Sequence, residues 1–221
     1  MATIQVTLKC AAAGSMLVAA ALLVGSANAP AQTVDLEQQI LKSLLPTVKP
    51  TTPRPPTRSL TATPADTSRT VDRKFLDTVK NRPTRSLTTD EREQIAEIAK
   101  DRPSIDIEIN FDYRSAKIGP AAVPSVTALG KALTNPELKG STFILAGHTD
   151  AKGSVPANQD LSEKRADSIK HYLVDHFKIP ASTLVTVGYG KTKLKNEQDP
   201  LAPENRRAQI VNVEEKNTSE R

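Results

Sequence analysis

Two oppositely charged residues, Asp150 and Arg165, stand where they could bind a charged ligand together. The apolar run at residues 143–146 predicts a strand, and after a loop a helix is predicted to begin near residues 158–160. Asp150 then lies at the exit of the strand and Arg165 in the early turns of the helix. Because helical side chains lean toward the helix N-terminus, we expect Arg165 to meet Asp150 there. A carboxylate, a cation and a helix N-terminus together suit a ligand that carries both an ammonium and a carboxylate group.

The chain carries three segments in order, GHTDAKG, NQDLSEKRA and ENRR. This pattern resembles the OmpA-like peptidoglycan-binding domain family, roughly TDxxGxxxxNxxLSxxRA followed by NRR, and the resemblance covers residues 105–213. It implies that Asp150 and Arg165 bind the amino and carboxylate end of diaminopimelate in the stem peptides of peptidoglycan. It also implies that further residues shape or support the pocket, namely Thr149, Asn158, Leu161, Asp112 and Arg206.

Several of these residues have simpler alternative roles. Asn158 could cap the predicted helix, Leu161 could belong to the core, and an Asp–Arg pair is often only structural. Two positions depart from the family pattern, since Ala157 stands where many relatives have tyrosine and Arg114 where they often have a smaller polar or acidic residue. These departures affect the wall of the pocket and leave the charged pair intact.

The fold expected from the pattern is an α/β or α+β sandwich, with helices over one face of a mixed sheet. Alternating apolar residues predict a half-buried strand at 105–111, and helical spacing of apolar residues predicts a helix ending near residue 133. The remaining predicted elements are a strand at 142–146, a helix at 160–177 and strands at 184–189 and 207–213. The OmpA-like family has this β-α-β-α-β-β arrangement, and we place the module at residues 103–213, before a polar tail at 214–221.

Residues 1–29 have the features of a secretory signal peptide, with Lys9 before an apolar stretch and Ala27-Asn28-Ala29 as a cleavage site. Because Pro30 follows, cleavage after Ala27 or Ala31 is an alternative, and retention as an N-terminal anchor is another. The single cysteine, Cys10, lies before the apolar stretch, so a lipid anchor and a disulfide in the mature chain are disfavoured. We expect export to the periplasm and an outer-membrane-associated place in the cell envelope.

Residues 30–102 are predicted to be a proline-rich, basic, largely disordered arm with short helices. Helical spacing is found at residues 33–45 and 71–79, and Thr88 with Glu91 forms a capping-box pattern before a helix that ends near Lys100. Residues 46–86 contain nine Lys or Arg against three Asp. This charge could attract an anionic envelope surface or an unknown envelope protein, or could simply keep the linker solvated.

The arm also contains a repeat, because Thr57-Arg58-Ser59-Leu60-Thr61 recurs as Thr84-Arg85-Ser86-Leu87-Thr88. Two copies are too few for a solenoid. We interpret the repeat as a duplication within a linker, with a pair of docking motifs as the alternative.

The sequence gives no support for several other functions. There is no P-loop, no G-x-S-x-G and no metal-ligand cluster beyond His148 and Asp150, so we predict no enzyme, no cofactor and no metal. No aromatic–basic interleaving indicates nucleic acid as a partner, and the pattern sets no oligomeric state. The prediction is a non-catalytic periplasmic protein that tethers to peptidoglycan; the alternative is an envelope adaptor or adhesin-like protein acting through its basic arm.

Overall fold

The computed structural model of the protein describes residues 29–46 and 64–214. Residues 1–28 of the predicted signal peptide, the first TRSLT copy and residues 215–221 of the tail lie outside this part. The α-helices are α1 Ala29–Leu44, α2 Pro64–Val79, α3 Thr89–Ala99, α4 Val123–Leu133 and α5 Val155–Phe177. The strands are β1 Ser104–Ile107, β2 Phe143–His148, β3 Leu184–Gly190 and β4 Ala208–Asn212.

The four strands form one mixed sheet in the order β1-β4-β2-β3. β4 pairs antiparallel with both β1 and β2, and β2 pairs parallel with β3. The register places Ile210 of β4 opposite Ile105 on one side and Leu145 on the other. With its helices, this sheet is the α+β fold that the sequence predicted.

Two element boundaries differ from the prediction. β1 ends at Ile107, because the chain turns just beyond it and the Phe111 N–H donates to the carbonyl of Ile109 at 2.9 Å. α5 begins at Val155, before the predicted residues 158–160, because Ser154 caps it by accepting from the Ala157 N–H at 3.4 Å. Arg165 therefore lies in the third turn of α5, farther from the helix N-terminus than expected.

One face of the sheet carries α1, α4 and α5. Phe143 and Leu145 of β2 point to this face and pack with Leu129 of α4 and Leu173 of α5. The predicted helix at residues 33–45 is part of α1, whose Ile40 and Leu44 are completely buried in the same core, both at 0% exposure. The backbone carbonyl of Leu44 also accepts from the Asn212 side chain at 2.9 Å, which joins α1 to β4.

The opposite face carries α2 and α3, which precede the predicted module; the two helices of the module, α4 and α5, lie over one face as predicted. Ile144 of β2 and Val187 of β3 pack there against Leu76 of α2 and Ile95 of α3. The predicted apolar stripe of α3 is confirmed, since Ile95 and Ile98 are both buried. Every residue of β2 and β3 is buried as a result, which is how a sheet covered on both faces is built.

The prediction of a largely disordered arm is therefore wrong where the structure describes residues 29–46 and 64–102. The capping box of α3 is present, with the Glu91 N–H donating to the Thr88 hydroxyl at 3.2 Å and the Thr88 N–H to the Glu91 carboxylate at 2.8 Å. The second TRSLT copy is also built into the fold, because Thr84 and Leu87 are buried at 0% and 4% exposure. In α2 the buried face is offset from the predicted one, leaving Val71 at 54% exposure. Within residues 29–46 and 64–214, no helix has the length and apolarity needed to cross a membrane.

Candidate functional site

Asp150 lies in the loop that joins β2 to α5, two residues beyond the end of the strand. One oxygen of its carboxylate accepts from the Lys152 N–H at 3.1 Å, which fixes the carboxylate against its own loop. The other oxygen accepts from a terminal nitrogen of Arg206 at 3.1 Å. The Asp150 side chain is 17% exposed and that of Arg206 is 45% exposed, so solvent reaches this pair mainly from the arginine side.

Arg165 projects from α5 onto the segment that follows β1. Its Nε donates to the Ser115 carbonyl at 3.0 Å, and a terminal nitrogen donates to the Asp112 carbonyl at 3.4 Å. The guanidinium carbon lies 4.9 Å from the centre of the Phe111 ring, an arrangement that favours a cation over an aromatic face. These contacts hold Arg165 in one orientation without using a carboxylate from the protein.

The expected direct contact between Asp150 and Arg165 is wrong. Among the described residues, no ion pair within 4 Å joins them, and the partner of Asp150 is Arg206. The physical reason is the early start of α5, which leaves Arg165 in its third turn and over the 111–115 segment. Arg206 reaches Asp150 because it directly precedes Arg207 and β4, which is the neighbour of β2 in the sheet.

The charges of Asp150, Arg165 and Arg206 nevertheless interact electrostatically. Burial lowers the pKa of the Arg165 guanidinium, the nearby Asp150 carboxylate opposes this shift, and the positive charge of Arg206 adds to it. An arginine keeps its proton at neutral pH despite such a shift, so Arg165 remains a cation. A partly desolvated cation whose positive neighbour disfavours it further is a favourable place for the carboxylate of a ligand.

The remaining residues predicted for the site have different roles. Thr149 is buried at 3% exposure and binds through its backbone N–H to the Gly190 carbonyl at 2.9 Å, so it anchors the loop to β3. Asn158 is buried at 5% exposure and donates to the Lys152 carbonyl at 2.9 Å, so it braces the loop; the helix cap is Ser154. Leu161 is half-buried and lies one helical turn before Arg165, on the same face of α5.

The segment after β1 forms the other rim of the site. The Asp112 side chain is exposed, and its carboxylate makes no hydrogen bond or ion pair to any residue in the described part of the chain. Tyr113 is 78% exposed, and the Lys152 ammonium lies 5.6 Å from the centre of its ring, across the gap between the two loops. Sequence reasoning missed Tyr113, although an exposed aromatic in a chain with so few aromatics was a usable signal.

Two glycines let α5 approach the sheet closely enough to place Arg165. A Cβ on Gly147 of β2 would lie 2.4 Å from the Ser162 carbonyl oxygen, and one on Gly188 of β3 would lie 2.6 Å from the Glu163 backbone nitrogen. Any side chain at either position would therefore push the helix away. The position of the cation in the site depends on strand residues without side chains.

Asn205 holds the segment that carries Arg206. It is completely buried at 0% exposure, and its side-chain oxygen accepts from the backbone N–H groups of Lys195 and Asn196 at 2.8 and 2.9 Å. Its amide group donates to the Asp199 carbonyl at 3.0 Å, closing the 195–205 loop on itself. Sequence reasoning named the ENRR run but gave Asn205 no role. The structure explains this asparagine by the hydrogen bonds that its side chain makes to the backbone of the 195–205 loop.

The site therefore consists of the cations Arg165 and Arg206, the paired carboxylate of Asp150 and the unpaired carboxylate of Asp112, which together we call the corner. This set can bind a zwitterion by placing its carboxylate near Arg165 and its ammonium near Asp150 or Asp112. The arrangement offers little for metal binding, since no group of three or more His, Cys, Asp or Glu side chains with suitable geometry is found in residues 29–46 and 64–214.

Comparison with known proteins supports the resemblance seen in the sequence. The model of the OmpA family matches residues 110–208. This segment is similar to OmpA-like domains. It contains β2, α5, β3 and every residue predicted for the site. The helices α1 to α3, which complete the core on both faces of the sheet, lie outside the matched segment.

Relatives of the matched segment of this chain are found among outer-membrane proteins. Outer membrane protein A of Klebsiella pneumoniae is 32% identical over 96 residues, which are 43% of this chain and 28% of that protein. The peptidoglycan-associated lipoprotein from Burkholderia pseudomallei matches in structure at 22% identity, covering 48% of this chain and 88% of that chain, with a TM-score of 0.39. The cell wall anchor of the T6SS from Pseudomonas aeruginosa matches at 21% identity, covering 51% and 82%, with a TM-score of 0.41. The chain spans about a quarter of the length of the curated relatives it matches.

Proposed function

We propose that this protein is a non-catalytic, periplasmic cell-wall-binding protein that tethers to peptidoglycan by recognising the diaminopimelate of stem peptides. The observation that carries the proposal is the placement of Asp150 and Arg206 beside Arg165 in one solvent-accessible corner. The OmpA-like domain supports it, because the family resemblance assigns the ligand contacts to Asp150 and Arg165. The cell envelope, in association with the outer membrane, is the proposed location.

The free end of diaminopimelate is an ammonium and a carboxylate on one carbon, and each finds an opposite charge in this corner. The ligand carboxylate would bind Arg165, whose guanidinium is fixed by two backbone carbonyl groups. The ligand ammonium would bind Asp150, whose position is fixed by Lys152 and Arg206. Holding both groups before the ligand arrives reduces the entropy lost on binding.

A pulldown of the full chain with sacculi that contain diaminopimelate tests this function. The full chain is required because α2 and α3 bury one face of the sheet, so a fragment starting at residue 103 would expose that face. We expect Asp150→Ala and Arg165→Ala each to lose binding, since removing one partner of a charged hydrogen-bonded contact costs about 2–5 kcal/mol. Free diaminopimelate should compete with the sacculi.

The matched controls are Asp160→Ala and Lys164→Ala. These residues form an exposed ion pair on α5, at 61% and 64% side-chain exposure, and they change the charge of the same helix away from the corner. Both variants should bind as the unmodified chain does. If folded Asp150→Ala and Arg165→Ala variants also bind normally, the charged corner is structural; if free diaminopimelate fails to compete, the site recognises another part of the wall.

A second candidate function is an adaptor that acts through its basic arm. Several cations of residues 71–102 form ion pairs on the folded body. These pairs include Arg73–Glu214, Lys80–Asp77 and Arg82–Glu91. We therefore test this role on residues 47–63, whose Lys49, Arg54 and Arg58 lie outside the described part. Deleting residues 47–63 should leave binding to sacculi unchanged, and loss of a cellular phenotype in that deletion would favour the adaptor.

A further inference from the structure

A cavity of about 410 Å³ lies between α3 and the sheet, on the opposite face from α4 and α5. Its apolar wall includes Ala96 and Ala99 of α3 and Ala146 and Val211 of the sheet. The volume is within the range of pockets that hold small ligands, roughly 300–1,000 Å³.

The lining of the cavity includes a buried histidine, His148, whose ring has one hydrogen-bond partner among the described residues. The side chain is 3% exposed, and its Nδ1 lies 3.1 Å from the Lys193 carbonyl oxygen. A carbonyl can only accept, so Nδ1 carries the proton and Nε2 presents a lone pair. No described residue donates to that Nε2.

Beside it, Arg207 presents donors that are also unsatisfied. Its side chain is 10% exposed, and its Nε lies 3.3 Å from an oxygen of Asp106 without forming a directed hydrogen bond. Within the described part of the chain, Nε and Nη1 of Arg207 and Oδ1 of Asp106 all lack hydrogen-bond partners. The ion pair with Asp106 therefore leaves Nη1 of Arg207 without an acceptor, while Nε2 of His148 has no donor. Both residues line the same cavity, and buried groups of this kind are costly unless another molecule satisfies them.

The charged side chains around the cavity already have partners. Lys193 pairs with Glu93 at 2.9 Å and Lys100 with Glu97 at 3.8 Å at its rim. Arg207 lies 3.3 Å from Asp106, a carboxylate outside the lining that Lys195 also contacts at 2.8 Å. A charged ligand would have to displace one of these pairs. An uncharged ligand that both donates and accepts hydrogen bonds meets the requirements of His148 and Arg207 together.

We propose that this cavity binds a small uncharged ligand that carries hydroxyl and amide groups, such as an N-acetylated sugar ring. An amide or hydroxyl group would donate to Nε2 of His148 and accept from Arg207. The alanine and valine side chains would lie against the apolar face of the ring. α3 forms part of this wall and lies outside the segment that matches the OmpA family, so the cavity is a feature of this chain beyond the matched domain.

The site uses different residues from the peptidoglycan corner, although the same two segments supply both. At the end of β2, His148 lines the cavity, while Asp150 in the following loop belongs to the corner. Before β4, Arg207 lines the cavity and Arg206 belongs to the corner. The two binding sites can therefore be tested separately. The cavity proposal does not rest on wall binding.

Amide chemical shifts of the full chain, titrated with N-acetylglucosamine, test the proposal. We expect saturable shifts at Ala146, His148 and Val211, and none at these residues with acetate, because the charged side chains of the cavity already have partners. Ala99→Leu and Ala96→Leu fill the cavity from α3 and should abolish the shifts. Gln94→Leu adds the same side chain at an exposed position of α3 that does not line the cavity, and it should bind normally.

Two results would overturn the proposal. If N-acetylglucosamine causes no saturable shifts in the unmodified chain, water alone satisfies His148 and Arg207. If folded Ala99→Leu and Ala96→Leu variants give the same saturable shifts as the unmodified chain, the sugar binds elsewhere. Neither result affects the peptidoglycan corner, since the titration contains no wall and leaves Asp150 and Arg165 unchanged.

Discussion

One carboxylate oxygen of Asp150 accepts a hydrogen bond from Arg206 at 3.1 Å, while two backbone carbonyl groups accept hydrogen bonds from Arg165, the other cation of the corner. The corner therefore has a carboxylate that is already oriented and a guanidinium that is oriented without being neutralised. This arrangement favours a ligand carboxylate at Arg165. It also leaves the positive field of Arg206 partly cancelled by Asp150.

The Asp150–Arg206 pair should contribute little to folding stability. Arg206 is 45% exposed, and exposed ion pairs contribute about 0–1 kcal/mol. We expect Asp150→Ala, Arg206→Ala and the double variant to unfold in urea within about 1 kcal/mol of the unmodified chain, while sacculus binding falls in each. A coupling energy above about 2 kcal/mol in this double-mutant cycle would instead make the pair structural.

The sequence predicted the strands and the charged residues of the corner, but it misplaced the contacts between them. Periodicity and spacing report neighbours along one element, whereas the Asp150–Arg206 pair joins two segments that meet only because β4 lies beside β2. The start of α5 was also misplaced, because the cap is Ser154 and not Asn158. The sequence therefore predicted charged residues that do lie near one another, while their pairing depended on the sheet order.

The second helical layer was missed although the sequence carried a signal for it. Residues 143–148 and 184–190 are apolar or small at almost every position, a pattern typical of strands that are buried on both faces. A strand covered on one face alternates instead, as the 105–111 segment does. The proline content of residues 46–64 indicates a linker for that stretch alone, and α2 and α3 follow it.

The packing of α3 predicts a large cost for truncating its central side chain. Ile95 is 0% exposed in the second core, and replacing a fully buried isoleucine by alanine costs about 2–5 kcal/mol. Val71→Ala on α2 is the matched control, because Val71 is 54% exposed and surface changes stay within about 0.5 kcal/mol. Urea denaturation measures both, and equal stabilities for Ile95→Ala and the unmodified chain would mean that α3 does not pack on the sheet in solution.

The second TRSLT copy predicts a specific requirement for a hydroxyl group at residue 84. Thr84 is completely buried; its hydroxyl hydrogen-bonds to Asp167 and lies 2.5 Å from the Thr186 hydroxyl. Thr84→Val keeps the shape but leaves these partners short of a hydrogen bond, so we expect a loss of about 1–3 kcal/mol in the free energy of unfolding.

Thr84→Ser distinguishes the hydroxyl from the methyl group of the same residue. It retains the hydrogen bonds to Asp167 and Thr186 and should recover most of the stability lost in Thr84→Val. An unchanged Thr84→Val variant beside a destabilised Thr84→Ser variant would show that packing of the methyl group, and not the polar network, makes the second TRSLT copy part of the fold.

The close approach of α5 to the sheet predicts that Gly188→Ala weakens both folding and wall binding. The new Cβ would lie 2.5 Å from the Glu163 side chain and 2.6 Å from its backbone nitrogen, so α5, which carries Arg165, must shift. We expect a loss of about 1–3 kcal/mol in stability, as for other overpacked sites. Gly119→Ala is the control, because its Cβ would meet only Asp112 at 3.6 Å; unchanged sacculus binding in a folded Gly188→Ala variant would mean that Arg165 tolerates the shift.

Burial of His148 predicts a pH-dependent loss of stability that one substitution should remove. Burial, together with the positive charge of Arg207, lowers the pKa of His148 to about 3 from its ordinary 6.5. Between these values the unfolded chain binds a proton that the folded chain does not, so the free energy of unfolding falls as pH decreases from 6.5 toward 3. This histidine alone contributes a slope of up to about 1.4 kcal/mol per pH unit.

The comparison that isolates this contribution is between the unmodified chain and His148→Phe, which keeps an aromatic ring against Tyr189. Urea denaturation from pH 7 to pH 4 should give a smaller loss of stability for His148→Phe, because phenylalanine cannot take up a proton. The carboxylates titrate in both proteins and cancel in the difference. Parallel pH profiles for the two proteins would mean that His148 is protonated as easily in the folded chain as in the unfolded one, and NMR titration of its ring would then show a pKa near 6.5.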